Sequence, residues 1–267
     1  MRSLKDLSSL KGRSALVTGG AGHIGFAIAD GLAELGANVI LLDRETDRGK
    51  ALCEELRARW GVGGEYIDAD LERADQYADL PSRVESCWGR LDILVNCAAF
   101  VGTTNLDGWN EPFERQSLDA WRRALEVNLT APFAVTQMLL RLLIASGRGS
   151  VVNIASIYGM TGPVPSLYEG TGMNNPAAYG ASKGGLLQLT RWLATTLAPR
   201  VRVNAVTPGG VARGQDERFS SRYRARTPMG RMATEEDIKG AAAFLASDLS
   251  AYVTGQNIVA DGGWSVW

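Results

Sequence analysis

The chain has 267 residues, 45% of them hydrophobic, with 28 basic and 29 acidic side chains and a net charge of −1. That length can bury one large core, and the balanced charge excludes a general attraction to nucleic acid or an anionic membrane. Cys53, Cys87 and Cys97 lack metal-ligand or disulfide spacing, no signal peptide precedes them, and no run approaches the ~20 apolar residues of a membrane span, so a cytoplasmic protein is expected.

In chain order, "SALVTGG" is a short apolar run into glycine, and "HIGFAIADGLAELG" carries apolar residues at three- and four-residue spacing. These read as a strand, a turn and an amphipathic helix, stopped at Gly36 before the strand "ANVILLD". Further strands are expected in "GEYIDAD", "LDILVN", "SVVNIAS", "VRVNAVTP" and "QNIVADGG", with helices between them, including 72–87 and 234–246. Apolar strands regularly separated by helices indicate an α/β fold: a single-domain, doubly wound parallel sheet of Rossmann type, helices on both faces, spanning 1–267. Such sheets bind ligands beyond the carboxyl ends of their strands.

The first such turn, "TGGAGHIG", places Gly20, Gly22 and Gly25 in G-x-G-x-x-G spacing between a strand and a helix. Missing side chains let backbone approach a pyrophosphate, whose charge meets helix N-terminal amides. Asp43 ends the second strand, close to the ~20 residues past the last glycine at which an acid accepts the ribose hydroxyls of NAD. A carboxylate there repels the 2′-phosphate of NADP, whereas the neighbouring Arg44 suits it. NAD is favoured and NADP stays open.

In "NPAAYGASKGGLLQLTRWLATTLA", read as a helix, Tyr179 and Lys183 are an i, i+4 pair about 5.4 Å apart along the axis. The surrounding Ala177, Ala178, Ala181, Gly184 and Gly185 leave room for something bulky. A free phenol has a pKa of ~10, too high for a base at neutral pH. An ammonium ~5 Å away stabilises phenolate by ~3 kcal/mol and brings it into range. Ser156 follows the strand "SVVNIAS", where its hydroxyl faces ligand or caps a turn. In "EVNLTAPF", Pro132 lacks an amide hydrogen, so the Asn128 carbonyl loses its helical partner and either holds water or marks a kink.

Together "TGGAGHIG", "DADL", "NCAA", Asn128, Ser156, "YGASK", "RVNAVTPGG" and "TGQNIVADGG" resemble the short-chain dehydrogenase/reductase family over nearly the whole chain. The resemblance implies that Tyr179 is the general acid/base, that Lys183 lowers its pKa and binds the nicotinamide ribose, and that Ser156 hydrogen-bonds the reacting oxygen. Asn128 would support a water relay. It further implies a cofactor site of Gly19, Gly20, Gly22, His23, Ile24 and Gly25 along the dinucleotide, Asp43 and Arg44 at the adenosine ribose, and Asp70 and Leu71 beside the adenine. Asn96 and Ala98 would line the groove, and Pro208, Gly209 and Val211 would lie at the nicotinamide. Two departures stand out: His23 occupies a common glycine position, and a threonine frequent shortly after "PG" is missing from "PGGVARGQ". The lone His23 argues for no metal.

The stretch between Ser156 and Tyr179 is longer than the family's usual gap and rich in glycine and proline, so 157–175 is a loop suited to substrate. Its candidates are Ile157, Tyr158, Tyr168, Glu169 and Asn174. A second loop at about 210–232 carries Arg213, Arg218, Arg222, Arg224 and Arg226, which meet an anion or form a solvated helix face. "YEGT" and "NNPAAYGASK" look like family members of bacterial surface-sugar and nonulosonate pathways, implying a polar, carbohydrate-like substrate. The expected activity is hydride transfer between a nicotinamide cofactor and a secondary alcohol or ketone. A sugar-nucleotide epimerase or dehydratase, and a non-catalytic dinucleotide sensor, are the alternatives. Apolar Trp264, Val266 and Trp267 suggest a subunit interface, and the resemblance implies a homotetramer.

Overall fold

A computed structural model describes residues 1–101 and 104–267. Among the described residues the strands are β1 (Ser14–Thr18), β2 (Asn38–Asp43), β3 (Gly64–Asp68), β4 (Ile93–Asn96), β5 (Gly149–Ile154), β6 (Val201–Pro208) and β7 (Asn257–Ala260). They form one sheet in the order β3-β2-β1-β4-β5-β6-β7, all pairs parallel. The order reverses between β1 and β4, which opens a crevice above their carboxyl ends. The helices are α1 (Leu4–Ser8), α2 (His23–Glu34), α3 (Thr46–Trp60), α4 (Leu80–Trp88), α5 (Leu118–Leu125), α6 (Ala131–Ala145), α7 (Ala177–Leu197), α8 (Glu217–Arg226) and α9 (Glu236–Ala246).

The period of two along each strand divides the core. Val39, Leu41, Val17 and Val152 pack with Ile28 and Leu32 of α2, Leu56 of α3 and Leu245 of α9. Ile40, Leu42, Leu16 and Val151 pack on the other face with Val84 of α4, Leu139 of α6 and Leu193 of α7. Each such side chain contributes roughly 1.5–3 kcal/mol through burial, which is why strands covered on both faces read as unbroken apolar runs.

Three expectations are corrected. The helix expected at 72–87 begins only at Leu80, after a short 3-10 turn at Ala74–Gln76, because Pro81 suits a first helical turn but not an interior one. The chain is continuously helical from Leu118 to Ala145, and a stretch of it averages a mean hydropathy of 1.4, enough by length and composition to span a membrane. Its apolar side, with Val135, Leu139 and Leu143, is buried in the core. Trp264 is 2% exposed, stacked on Tyr223 at 5.7 Å, so only Val266 and Trp267 of the terminal trio are open.

Candidate active site

The turn between β1 and α2 is built by close approach. Gly19 has a φ of 65°, and a Cβ there would lie 2.7 Å from the Ala98 Cα. A Cβ on Gly25 would sit 2.1 Å from the Gly19 carbonyl oxygen. Thr18 locks this turn to the end of β4, its hydroxyl oxygen accepting from the amides of Cys97 at 3.0 Å and Ala98 at 3.2 Å. The bare backbone beside the start of α2 is a cradle that fits a dinucleotide's diphosphate. It opens into a cleft of about 1040 Å³ above the sheet.

Of the site residues expected from sequence, all line this cleft except Gly20, Asn96, Asn128, Glu169 and four of the five loop arginines. Gly20 lies beneath the turn against Leu41. Asn96 points into the core, where its amide nitrogen donates to the Asn153 side-chain oxygen at 2.8 Å and to the Thr136 hydroxyl at 3.3 Å. The alternation of β4 decides this by putting Asn96 on the same face as Leu94, which packs with α6, whereas Cys97 and Ala98 lie past the strand end and line the cleft. Asp43 does face it, and its carboxylate accepts from the backbone amides of Ala21 at 3.0 Å, Arg44 at 2.8 Å and Glu45 at 3.3 Å. Arg44 leans to Asp70 at 3.9 Å.

Ser156, Tyr179 and Lys183 converge from two elements. Ser156 ends the segment after β5 and caps the short 3-10 turn Ile157–Gly159, its hydroxyl oxygen accepting from the Tyr158 amide at 3.2 Å. Tyr179 and Lys183 lie on α7, whose first amide, that of Ala177, is satisfied by the Gln116 side-chain oxygen at 2.9 Å. Gly184 and Gly185 of α7 do not leave space for ligand, as the sequence suggested. A Cβ on Gly185 would lie 2.8 Å from Leu129, and one on Gly159 would lie 2.7 Å from the Lys183 backbone. Protein fills that room, and the close contact brings the Ser156 turn onto α7.

The expected electrostatics are also corrected. Burial pushes the Tyr179 phenol above its ordinary value, with the Ser156 hydroxyl and Arg213 acting against that rise. The Lys183 ammonium lies 5.9 Å from the Tyr179 ring centre and donates to the Ile154 carbonyl at 2.7 Å. It is 2% exposed, and burial lowers its pKa to about 8. At neutral pH the site therefore holds a protonated phenol beside a mostly protonated amine.

Asn128 is fully buried in a π-helical turn, Glu126–Thr130, that precedes α6 with its Pro132. Its side-chain oxygen accepts from the Phe100 amide at 2.7 Å, and its nitrogen donates to the Phe100 carbonyl at 3.2 Å and the Ser182 hydroxyl at 3.1 Å. The side chain thereby ties α7 to the segment after β4.

On the far side of the cleft, the Tyr158 and Tyr168 hydroxyls are 2.6 Å apart, and the Asn175 side chain donates to Tyr168 at 3.3 Å. Asn174 is held by Asn110, which accepts from its amide at 2.8 Å. Glu169 is exposed, outside the lining. Of the five arginines only Arg213 reaches the cleft. Arg218 pairs with Asp216 at 2.9 Å, Arg224 with Glu217 at 2.5 Å, Arg222 donates to the Glu169 carbonyl at 2.6 Å, and Arg226 lies over Trp264. Asn110, Asn175, Phe219, Tyr223 and Met232 also line the cleft and were missed. Only Asn175, beside Asn174 and ahead of the helix, carried a local signal.

A family model described as enoyl-(acyl carrier protein) reductase matches residues 19–265. The 3-oxoacyl-[acyl-carrier-protein] reductase of Aquifex aeolicus is 36% identical over 95% of this chain and 98% of its own length. Sorbose reductase of Schizosaccharomyces pombe is 31% identical over 98% of this chain and 99% of its own. The crystal structure of a gluconate 5-dehydrogenase from Burkholderia cenocepacia, in complex with NADP and tartrate, has a TM-score of 0.86 at 30% identity, covering 99% of this chain and 100% of that one.

Proposed function

The chain belongs to the short-chain dehydrogenase/reductase family, an NAD(P)-dependent oxidoreductase of secondary alcohols and ketones, and from that premise we propose that Tyr179 is its proton-transferring group. The observation that carries this reading is the meeting of Tyr179, Ser156 and Lys183 at the inner end of the glycine-lined cleft. A bound nicotinamide supplies or accepts the hydride. The Tyr179 hydroxyl gives its proton to the oxygen of a ketone under reduction, or takes it from an alcohol under oxidation. Burial keeps the phenol protonated, the form that serves reduction. Ser156 holds the reacting oxygen, and the Lys183 ammonium supplies positive charge as the phenol loses its proton.

Gly19, Gly22 and Gly25 would hold the diphosphate, Asp70 and Leu71 would border the adenine, and Val211 would meet the nicotinamide. NAD is the preferred cofactor in this reading, because the anchored Asp43 carboxylate faces the cleft and repels a 2′-phosphate. The loops 157–175 and 210–232 form the substrate side of one catalytic unit. Phenols and asparagines there suit a polar, carbohydrate-like alcohol or ketone, and the names of sorbose reductase and gluconate 5-dehydrogenase support that class. Exposed Phe133 of α6 and Trp192 of α7 support a homotetramer, which sedimentation at micromolar concentration reads directly. The three free cysteines agree with a cytoplasmic setting.

The test is Tyr179→Phe, assayed by NADH fluorescence and by turnover of sugars and polyols with NADH and NADPH in turn. Binding is retained while turnover falls by at least ~100-fold, the scale of general acid catalysis. Full turnover in the variant overturns the assignment.

A further inference from the structure

We propose that Arg213 binds the cofactor's diphosphate and that Glu235 is the internal counter-anion it must leave to do so. This rests on the dinucleotide reading above. The Arg213 Nε lies 3.3 Å from the Glu235 carboxylate, and the His23 imidazole approaches the same oxygen at 3.8 Å. His23 is the first residue of α2, where the glycine cradle meets unsatisfied helix amides. Arg213 therefore stands beside the place where an anion is expected. Both Arg213 and His23 line the cleft, whereas Glu235 does not. The carboxylate draws the guanidinium toward the rim from behind.

The backbone is arranged to carry such an exchange. The strip 210–212 is paired with Ala233, through Ala212 N–H to the Ala233 carbonyl at 2.9 Å and Ala233 N–H to the Gly210 carbonyl at 2.9 Å. Arg213 and Glu235 thus leave adjacent backbones whose spacing is fixed. Their side chains keep 32% and 30% of their surface open, so the guanidinium swings without breaking a buried pair. Burial and the positive charges of Arg213 and Arg48 hold the His23 imidazole below its ordinary value. At neutral pH the transferable charge is that of Arg213.

An incoming diphosphate offers two negative groups and bidentate geometry, against one half-exposed carboxylate. Arg213 passes from Glu235 to the diphosphate, and the pair acts as a standing competitor that weakens cofactor binding. Removing the competitor tightens binding; removing the arginine weakens it.

The test is NADH titration by fluorescence, with ADP-ribose and adenosine as displacing probes, on folded wild type, Glu235→Gln, Arg213→Gln and the double variant. Glu235→Gln binds NADH and ADP-ribose about two- to five-fold more tightly, the scale of a half-exposed ion pair. Arg213→Gln binds both about ten-fold more weakly, as loss of a charge-assisted contact requires. Adenosine, which has no diphosphate, is unaffected, and in the double variant the gain from Glu235→Gln disappears. Equal affinity of Glu235→Gln and wild type, or a gain that persists without Arg213, overturns the exchange while wild-type NADH binding leaves the dinucleotide reading standing. Wild type that binds neither NADH nor NADPH overturns both.

Discussion

Lys183→Met should make the protein more stable and inactive. The Lys183 amine titrates at about 8 instead of 10.5 because burial disfavours its charged form. At about 1.4 kcal/mol per unit, the folded state bears a cost of roughly 3 kcal/mol whenever the amine is charged. Methionine fills a similar volume without that charge. It also removes the hydrogen bond to the Ile154 carbonyl, a loss of about 1–2 kcal/mol. The net gain at pH 7 is about 1–2 kcal/mol, or roughly 2–6 °C in Tm for a chain of this size. The sign follows from proton counting. Below pH 8 the amine is charged in both states and the full cost stands. Between pH 8 and 10.5 the unfolded chain binds more protons than the folded one, so wild-type stability gains with pH from this group. The advantage of the variant therefore shrinks across that interval and above it turns into a deficit of about 1–2 kcal/mol, the lost hydrogen bond alone. Thermal melts of both proteins at pH 7, 9 and 10.5, with turnover measured alongside, decide the matter. A variant less stable than wild type at pH 7, or a difference constant with pH, refutes the claim that burial strains this amine.

Gly25→Ala should abolish NADH binding and lower stability by about 1–3 kcal/mol through overpacking, since its Cβ would lie 2.1 Å from the Gly19 carbonyl oxygen. Fluorescence titration and melting report the two effects, and a variant that binds NADH normally removes the glycine turn from the cofactor site. Tyr168→Phe breaks the 2.6 Å hydroxyl contact with Tyr158, worth about 0.5–1.5 kcal/mol. Its KM for the alcohol or ketone substrate should rise several-fold while NADH affinity stays constant. A change in NADH affinity instead would mean that the pair supports the cofactor side.

What the sequence determined by itself is what depends on near neighbours in the chain. The inner strands follow from apolar runs between glycine turns, because a strand buried on both faces needs mostly apolar side chains, whereas the edge strands β3 and β7 keep exposed positions. The i, i+4 placement of Tyr179 and Lys183 follows from helical pitch alone. Pro132, which cannot donate to the carbonyl four residues back, signalled only that the helix is interrupted at Asn128, and the structure shows the interruption to be a π-helical turn. Only the tertiary structure decided how those groups are electrically disposed and who their neighbours are. The same pitch that brings Lys183 near Tyr179 says nothing of the Ile154 carbonyl that captures the ammonium, nor of the burial that raises one pKa and lowers the other. Asn96 matched a cofactor motif but turned inward, since its face of β4 is set by sheet register. Asn110, which holds Asn174, and Gln116, which caps α7, come from a loop more than 60 residues earlier in the chain. Charge, burial and long-range contact depend on distance through space, and a sequence records distance only along the chain.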